Sequence, residues 1–245
     1  MHSLARAITT AGTGALLTGT VLTGAAVAAD RPSPGADTAP VGAAAFERAR
    51  AESAAKDAEL GIGEARSAKA YPERDYLERT FQAQKYNNYC GPATAHMTIK
   101  QRNIDVSQET LAKRFGITPG NGGTSWDDML SALRHYTQRN YAGEFLAYSP
   151  SAQDKARYKE RLKADINETK DGIAGNVWEV VNGPHLPGHP NKEIFHWINI
   201  RGYKEHGKYT QIQDPATSVW KDVPGHAPVD SDKLVTMMGG RGYQW

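Results

Sequence analysis

The chain has 245 residues, 23% charged and 39% hydrophobic, with a formal net charge of only +2. That balance excludes a strongly basic nucleic-acid binder and a chain too polar to build a core. No CxxC pair, HExxH helix or Walker-type loop occurs in the sequence, which removes the usual zinc and nucleotide signatures.

In chain order, MHSLARAITTAGTGALLTGTVLTGAAVAAD combines Arg6, an apolar run through Leu16, Leu17, Val21 and Leu22, and the small residues Val27-Ala28-Ala29. This predicts a signal peptide over 1–29 and a secreted product, with no membrane attachment once the peptide is cleaved near Ala29. Gly and Thr interrupt the apolar run, which argues against an uncleaved anchor. Residues 30–75 form a leader. Its first part, RPSPGADTAPVGAAA, is Pro, Ala and Gly rich without a periodic apolar face and reads as disordered. Its second part, AFERARAESAAKDAEL, has strong helix formers but few large apolar residues, and reads as a marginal, solvated helix. A pro-segment shielding a site is the alternative.

Residues 76–245 have the length of one compact domain. A helix is expected over 91–102, with Pro92 tolerated in its first turn. VSQETLAKRFGI predicts a second, capped by Ser107 and ended by Gly116, and TSWDDMLSALRHYT a third, capped by Thr124 or Ser125. Residues 151–166 give a fourth, with Tyr158, Leu162 and Ile166 at four-residue spacing. Then NVWEVV, FHWINIRGY and YTQIQDP, rich in β-branched and aromatic residues, read as strands. Helices followed by an antiparallel sheet indicate an α+β domain.

Cys90 is the only cysteine, and it stands directly before Gly-Pro at the start of the first of these helices. A helix N-terminus favours an ionised sulfur, and a thiolate is a strong nucleophile. A free cysteine also fits as a small buried hydrophobe. A nucleophile needs a base. His96 lies six residues along the same helix, about 9 Å of rise away, and faces elsewhere. His185 and His189 sit in the turn-rich NGPHLPGHPN without a third ligand nearby, so no metal site is expected. His135, His206 and His226 lie among polar residues and read as exposed.

For His196, a hairpin through KEHGK centred near Glu205 would pair it with Asp214, Ile198 with Ile212 and Ile200 with Thr210. Asp214 would then orient the imidazole through one ring nitrogen while the other meets the thiol. A satisfied histidine at a strand end is the plainer reading of the same residue.

Nucleophile, base and orienter in the order Cys, His, Asp resemble the papain-like cysteine peptidases. From about Gln82 to Trp245 the chain is more closely similar to the C39-like peptidase family. The similarity rests on the Q-x5-C-G-P block of Gln84 and Cys90, on VSQETLAKRFGITPGNGGTSWDDMLSALRHY, and on FHWINIRGY followed by IQDPAT. It implies a papain-like fold with Cys90 as nucleophile, His196 as general base, Asp214 as orienter and Gln84 as side-chain donor of an oxyanion hole. Gln82 competes with Gln84 for that last role. The loop GNGGTSW, with Trp126 and Tyr89 as apolar walls, lines the cleft in one reading and merely feeds a helix in another. The expected partner is a peptide or protein substrate, with no cofactor, no metal and no nucleic acid, and nothing points to a particular oligomeric state. Transfer of the acyl group to an amine, as in transglutaminases, and a non-catalytic binding protein on the same scaffold are the alternatives.

Overall fold

Residues 43–63 and 70–245 are described by the computed structural model; the expected signal peptide and the Pro-rich stretch before residue 43 lie outside them. Among the described residues no helix is long and apolar enough to cross a membrane.

The helical layer begins with α2 (Cys90–Lys100), in which every residue from Cys90 to Ile99 is buried. Such a helix must be surrounded on all sides, and its small residues allow that. A Cβ added at Gly91 would lie 1.9 Å from Thr124 Oγ1. Helices α3 (Gln108–Arg114) and α4 (Trp126–Thr137) start where their serines cap them: Ser107 accepts from Thr110 N–H, and Ser125 from Asp128 N–H. Gly116, at φ +68°, ends α3 in the left-handed conformation that glycine tolerates. Helix α5 (Ala152–Ala164) opens with a reciprocal Ser151–Asp154 capping box and runs into a π-turn at Asp165–Thr169.

Among the described residues, seven antiparallel strands form one sheet: β1 (Asp75–Tyr76), β2 (Gly143–Phe145), β3 (Ile173–Glu179), β4 (Ile194–Lys204), β5 (Tyr209–Gln213), β6 (His226–Asp230) and β7 (Gly242–Gln244). Their order is β2-β7-β3-β4-β5-β6, and β1 also pairs with β4. Strand β4 alternates between two cores, as the pleat dictates. Ile198 and Ile200 join Leu162 of α5 and Leu234 of α6 (Ser231–Met237), whereas Trp197 joins Ile99, Leu111 and Met129 of the helical layer. Helices therefore cover both faces of the sheet, not one alone. This α+β architecture agrees with the expected class, with α6 and the strands β1, β2, β6 and β7 as additions.

The expected β4–β5 register is corrected. The turn Glu205–Gly207 places Glu205, His206 and Gly207 all at positive φ, so Lys204 pairs with Tyr209 and Tyr203 with Thr210. A bulge between Ile200 and Gly202 then shifts the register, pairing Ile200 with Ile212. His196 pairs with Val177 on β3 instead of with Asp214.

The second part of the leader is also corrected: it is not a solvated arm. Helix α1 (Ala43–Leu60) buries Ala49, Ser53, Lys56 and Asp57, a face at helical spacing built from small and charged residues. Asp57 takes Arg161 through two nitrogens at 2.8 and 2.7 Å and Arg157 at 2.8 Å. Lys56 meets Asp165 at 2.9 Å, and Ser53 Oγ donates to the Gly143 carbonyl while accepting from Trp245 Nε1. Charges, not apolar bulk, dock this helix. That explains why its low hydrophobicity misled.

Candidate active site

A buried polar network holds α2 against the sheet. Asn199 of β4 donates to Thr98 Oγ1 and exchanges hydrogen bonds with Gln101, while Gln213 of β5 donates to Asn199 and Thr80. With that half of the helix fixed, its N-terminus falls beside the start of β4. Tyr89, the N-cap, gives no side-chain cap, so the first-turn N–H groups of α2 keep their donors. Trp197 Nε1 donates to the Thr124 carbonyl, which seats the loop before α4 against the same end. Asn88 fastens the preceding loop by donating to the carbonyls of Thr118, Asn121 and Gly122.

Cys90, His196 and Asp214 meet here. His196 Nε2 lies 2.9 Å from Asp214 Oδ1, the Cys90 thiol neighbours the same ring, and Nδ1 is the ring nitrogen left for it. The His–Asp contact does not come from strand pairing. Asp214 lies just past β5 and caps the 3-10 turn Pro215–Ser218, its Oδ1 accepting from Ala216 N–H as well as from His196. The turn, not the ladder, aims the carboxylate.

Burial opposes charge on His196, but the Asp214 carboxylate outweighs it, and with the neighbouring sulfur pushes the imidazole pKa up to about 10. Burial would raise the Asp214 pKa; the facing His196 and His189 instead hold it well below the usual carboxylate range. The resting pair is an imidazolium and a carboxylate.

Two expected site roles are corrected. Gln84 does not present a free donor: its Nε2 gives both protons to the carbonyls of Tyr86 and Asn87, leaving Oε1, an acceptor, as the unpartnered atom. Its backbone joins the two halves of the site. Gln84 N–H donates to the Pro215 carbonyl, and Ser218 Oγ donates to the Gln84 carbonyl, so the loop before Cys90 is tied to the turn carrying Asp214. Gln82 is engaged elsewhere, accepting from Gln108. Trp126 and Tyr89 are core side chains rather than open walls, at 2% and 4% exposure. Trp126 packs its ring 3.9 Å from that of Phe145, and Tyr89 meets Tyr86 edge-on at 4.8 Å.

Among the other histidines, His96 turns away to the Val106 carbonyl, as its helical position requires. His226 is not exposed but half-buried on β6, its ring against Phe81. His189 was missed. Its Nε2 lies 2.9 Å from Asp214 Oδ2 and its Nδ1 2.8 Å from Glu179 Oε1, and the side chain is fully buried. The apolar strand NVWEVV held the clue, since a charged residue in a buried strand needs a partner. A donor atom from each of His189, His196 and Asp214 lies within 4.8 Å of the others, a set that could hold a metal ion. His196 and Asp214 are already joined by a 2.9 Å hydrogen bond, which a metal would have to part.

The model of the Peptidase_C39 like family matches residues 76–231, which include Cys90, His196 and Asp214. No curated protein matches. Among solved structures the chain is similar to one described as a C39-like peptidase from Bacillus anthracis, at 13% identity and TM-score 0.45, over 71% of this chain and 96% of that one. It is also similar to a double glycine motif protease from an AMS/PCAT transporter in complex with its leader peptide, at 19% identity and TM-score 0.41, over 69% and 91%. A third is xylellain, a cysteine protease from Xylella fastidiosa, at 11% identity and TM-score 0.40, over 74% and 88%. The match over residues 76–231 decides the assignment: this chain belongs to the Peptidase_C39 like family of cysteine peptidases.

Proposed function

We propose that the protein is an exported cysteine peptidase that hydrolyses a peptide or amide bond with Cys90 as nucleophile, His196 as acid–base and Asp214 as the residue that orients and charges His196. One observation carries this reading: a single imidazole is held by a carboxylate on one nitrogen and neighbours the only thiol of the chain. A cationic imidazole beside a sulfur favours the thiolate, the form that attacks. The sulfur adds to the carbonyl, and the oxyanion forms at the N-terminus of α2, where first-turn N–H groups face it. His196 then gives its proton to the leaving amine, and a thioester remains on Cys90. Water, deprotonated by His196, releases the acid and restores the thiol. Gln84 serves by holding the loop before Cys90 to the turn that carries Asp214.

The leaving group belongs on the His196 side, since that ring protonates it. A groove lined by Gly188, Pro190, Val219 and Trp220 opens there, with the Trp220 ring 6.4 Å from that of His196. Export is part of the proposal and rests on the sequence of residues 1–29. The test is Cys90→Ala, which removes one sulfur without disturbing a backbone hydrogen bond. Hydrolysis of a mixed peptide library, followed by mass spectrometry, should vanish in the variant while its circular dichroism is unchanged. Cleavage at the wild-type rate would sink the assignment.

A further inference from the structure

Behind Asp214 the chain of buried polar groups continues. Oδ1 of Asp214 is engaged by His196 and by Ala216 N–H, whereas Oδ2 faces His189 Nε2. The other nitrogen of His189 faces Oε1 of Glu179, the last residue of β3. Glu179 Oε2 lies 2.6 Å from His185 Nδ1, and His185 Nε2 lies 3.1 Å from Asn191 Oδ1. A neutral imidazole has one N–H and one lone pair. Between two carboxylates, a neutral ring would turn that lone pair towards an oxygen, and only the doubly protonated ring presents a positive charge to both. The contacts are short charge contacts rather than in-line hydrogen bonds.

We propose that His189, clamped between Glu179 and Asp214, is a positioning residue for the peptidase group: a buried cation that fixes the far oxygen of Asp214 and sets the electrostatic background in which Cys90 and His196 share a proton. The inference rests on the reading above for what that group does. Charges then alternate outward from the sulfur through His196, Asp214, His189 and Glu179. Three elements bring charge to His189: β3 brings Glu179, β4 brings His196, and the turn after β5 brings Asp214. Trp220 covers the ring at 4.5 Å, with Lys192 at 5.3 Å from the Trp220 ring. Burial opposes the charge on His189, but Asp214 and Glu179 outweigh it and the like charge of His196, so its pKa is raised.

The full chain with its one cysteine allows a test that needs no substrate. The rate of alkylation of Cys90 by iodoacetamide is followed against pH in the wild type and in His189→Gln. Glutamine keeps two N–H donors but removes the charge. Losing a buried cation makes neighbouring groups hold their protons to higher pH, so the rise in reactivity should move up by roughly half a unit to one unit. A purely structural role would change stability and leave this profile in place. An unmoved rise in a folded variant overturns the role of His189 and leaves the peptidase reading intact. A wild-type profile equal to that of free cysteine overturns the peptidase reading instead. Should His189→Gln fail to fold, histidine NMR titration of the wild type and of Glu179→Gln decides. A His189 cationic at pH 7 whose titration falls to lower pH in Glu179→Gln supports the proposal, and a ring neutral at pH 7 in the wild type, or unmoved by that substitution, overturns it.

Discussion

His196 is fully enclosed yet carries a proton that burial alone would remove, and this conflict has a thermodynamic signature. Its folded pKa, about 10, stands above the ordinary value of 6.5, so the folded state binds the proton more tightly than the unfolded chain. The stability this contributes is complete below about pH 6.5 and is lost as pH rises towards 10. Denaturant midpoints of wild type and His196→Gln should therefore draw closer across that window; a constant difference would mean that His196 is neutral in the fold. Cys90 and His196 were legible in the sequence because a lone thiol at a helix start and a histidine within an apolar strand are both chemically out of place. Asp214 was legible for the wrong geometric reason, since two-fold alternation predicts a cross-strand pair and the actual contact is made by a turn. His189 and Glu179 were not legible as partners. Their meeting depends on the path of the irregular segment between β3 and β4, which no periodicity encodes.

Helix α2 does for the site what no side chain could do alone, because its position sets where the sulfur stands. Gly91 is the narrow point, since any side chain there collides with Thr124. Gly91→Ala should cost about 1–3 kcal/mol through overpacking and displace the first turn. Lower thermal stability together with slower Cys90 alkylation is the expected pair of results. Recovery of both in the double variant Gly91→Ala, Thr124→Gly would assign them to this collision; unaltered alkylation in the single variant would show that the helix start is not the constraint. Helices α3, α4 and α5 could be read from the sequence because serine caps and apolar spacing agree on their bounds. Strands β6 and β7 could not. HAPVD contains a proline, and Gly-Tyr-Gln is three residues long; each is a strand because β5 or β3 offers it a partner.

Across the molecule, a helix with almost no apolar face is tied down by some of the most deeply buried charges. The Asp57 carboxylate faces Arg161 and Arg157 from α5, so its removal leaves the buried Arg161 guanidinium with Glu144 alone as counter-charge. Asp57→Ala should lower stability by about 3–5 kcal/mol, the usual loss when one partner of a buried pair is removed. It should also open α1 to limited proteolysis before the rest of the chain. Resistance equal to wild type would mean that Phe46, against Phe145, and the other α1 contacts suffice to hold the helix. The solitary sulfur brings a practical dividend at this scale. Each polypeptide can acquire one thiol adduct and no more, so the intact mass after brief exposure to an electrophilic peptide reports the competent fraction of a preparation, and the trapped adduct maps which residues flank the acyl position.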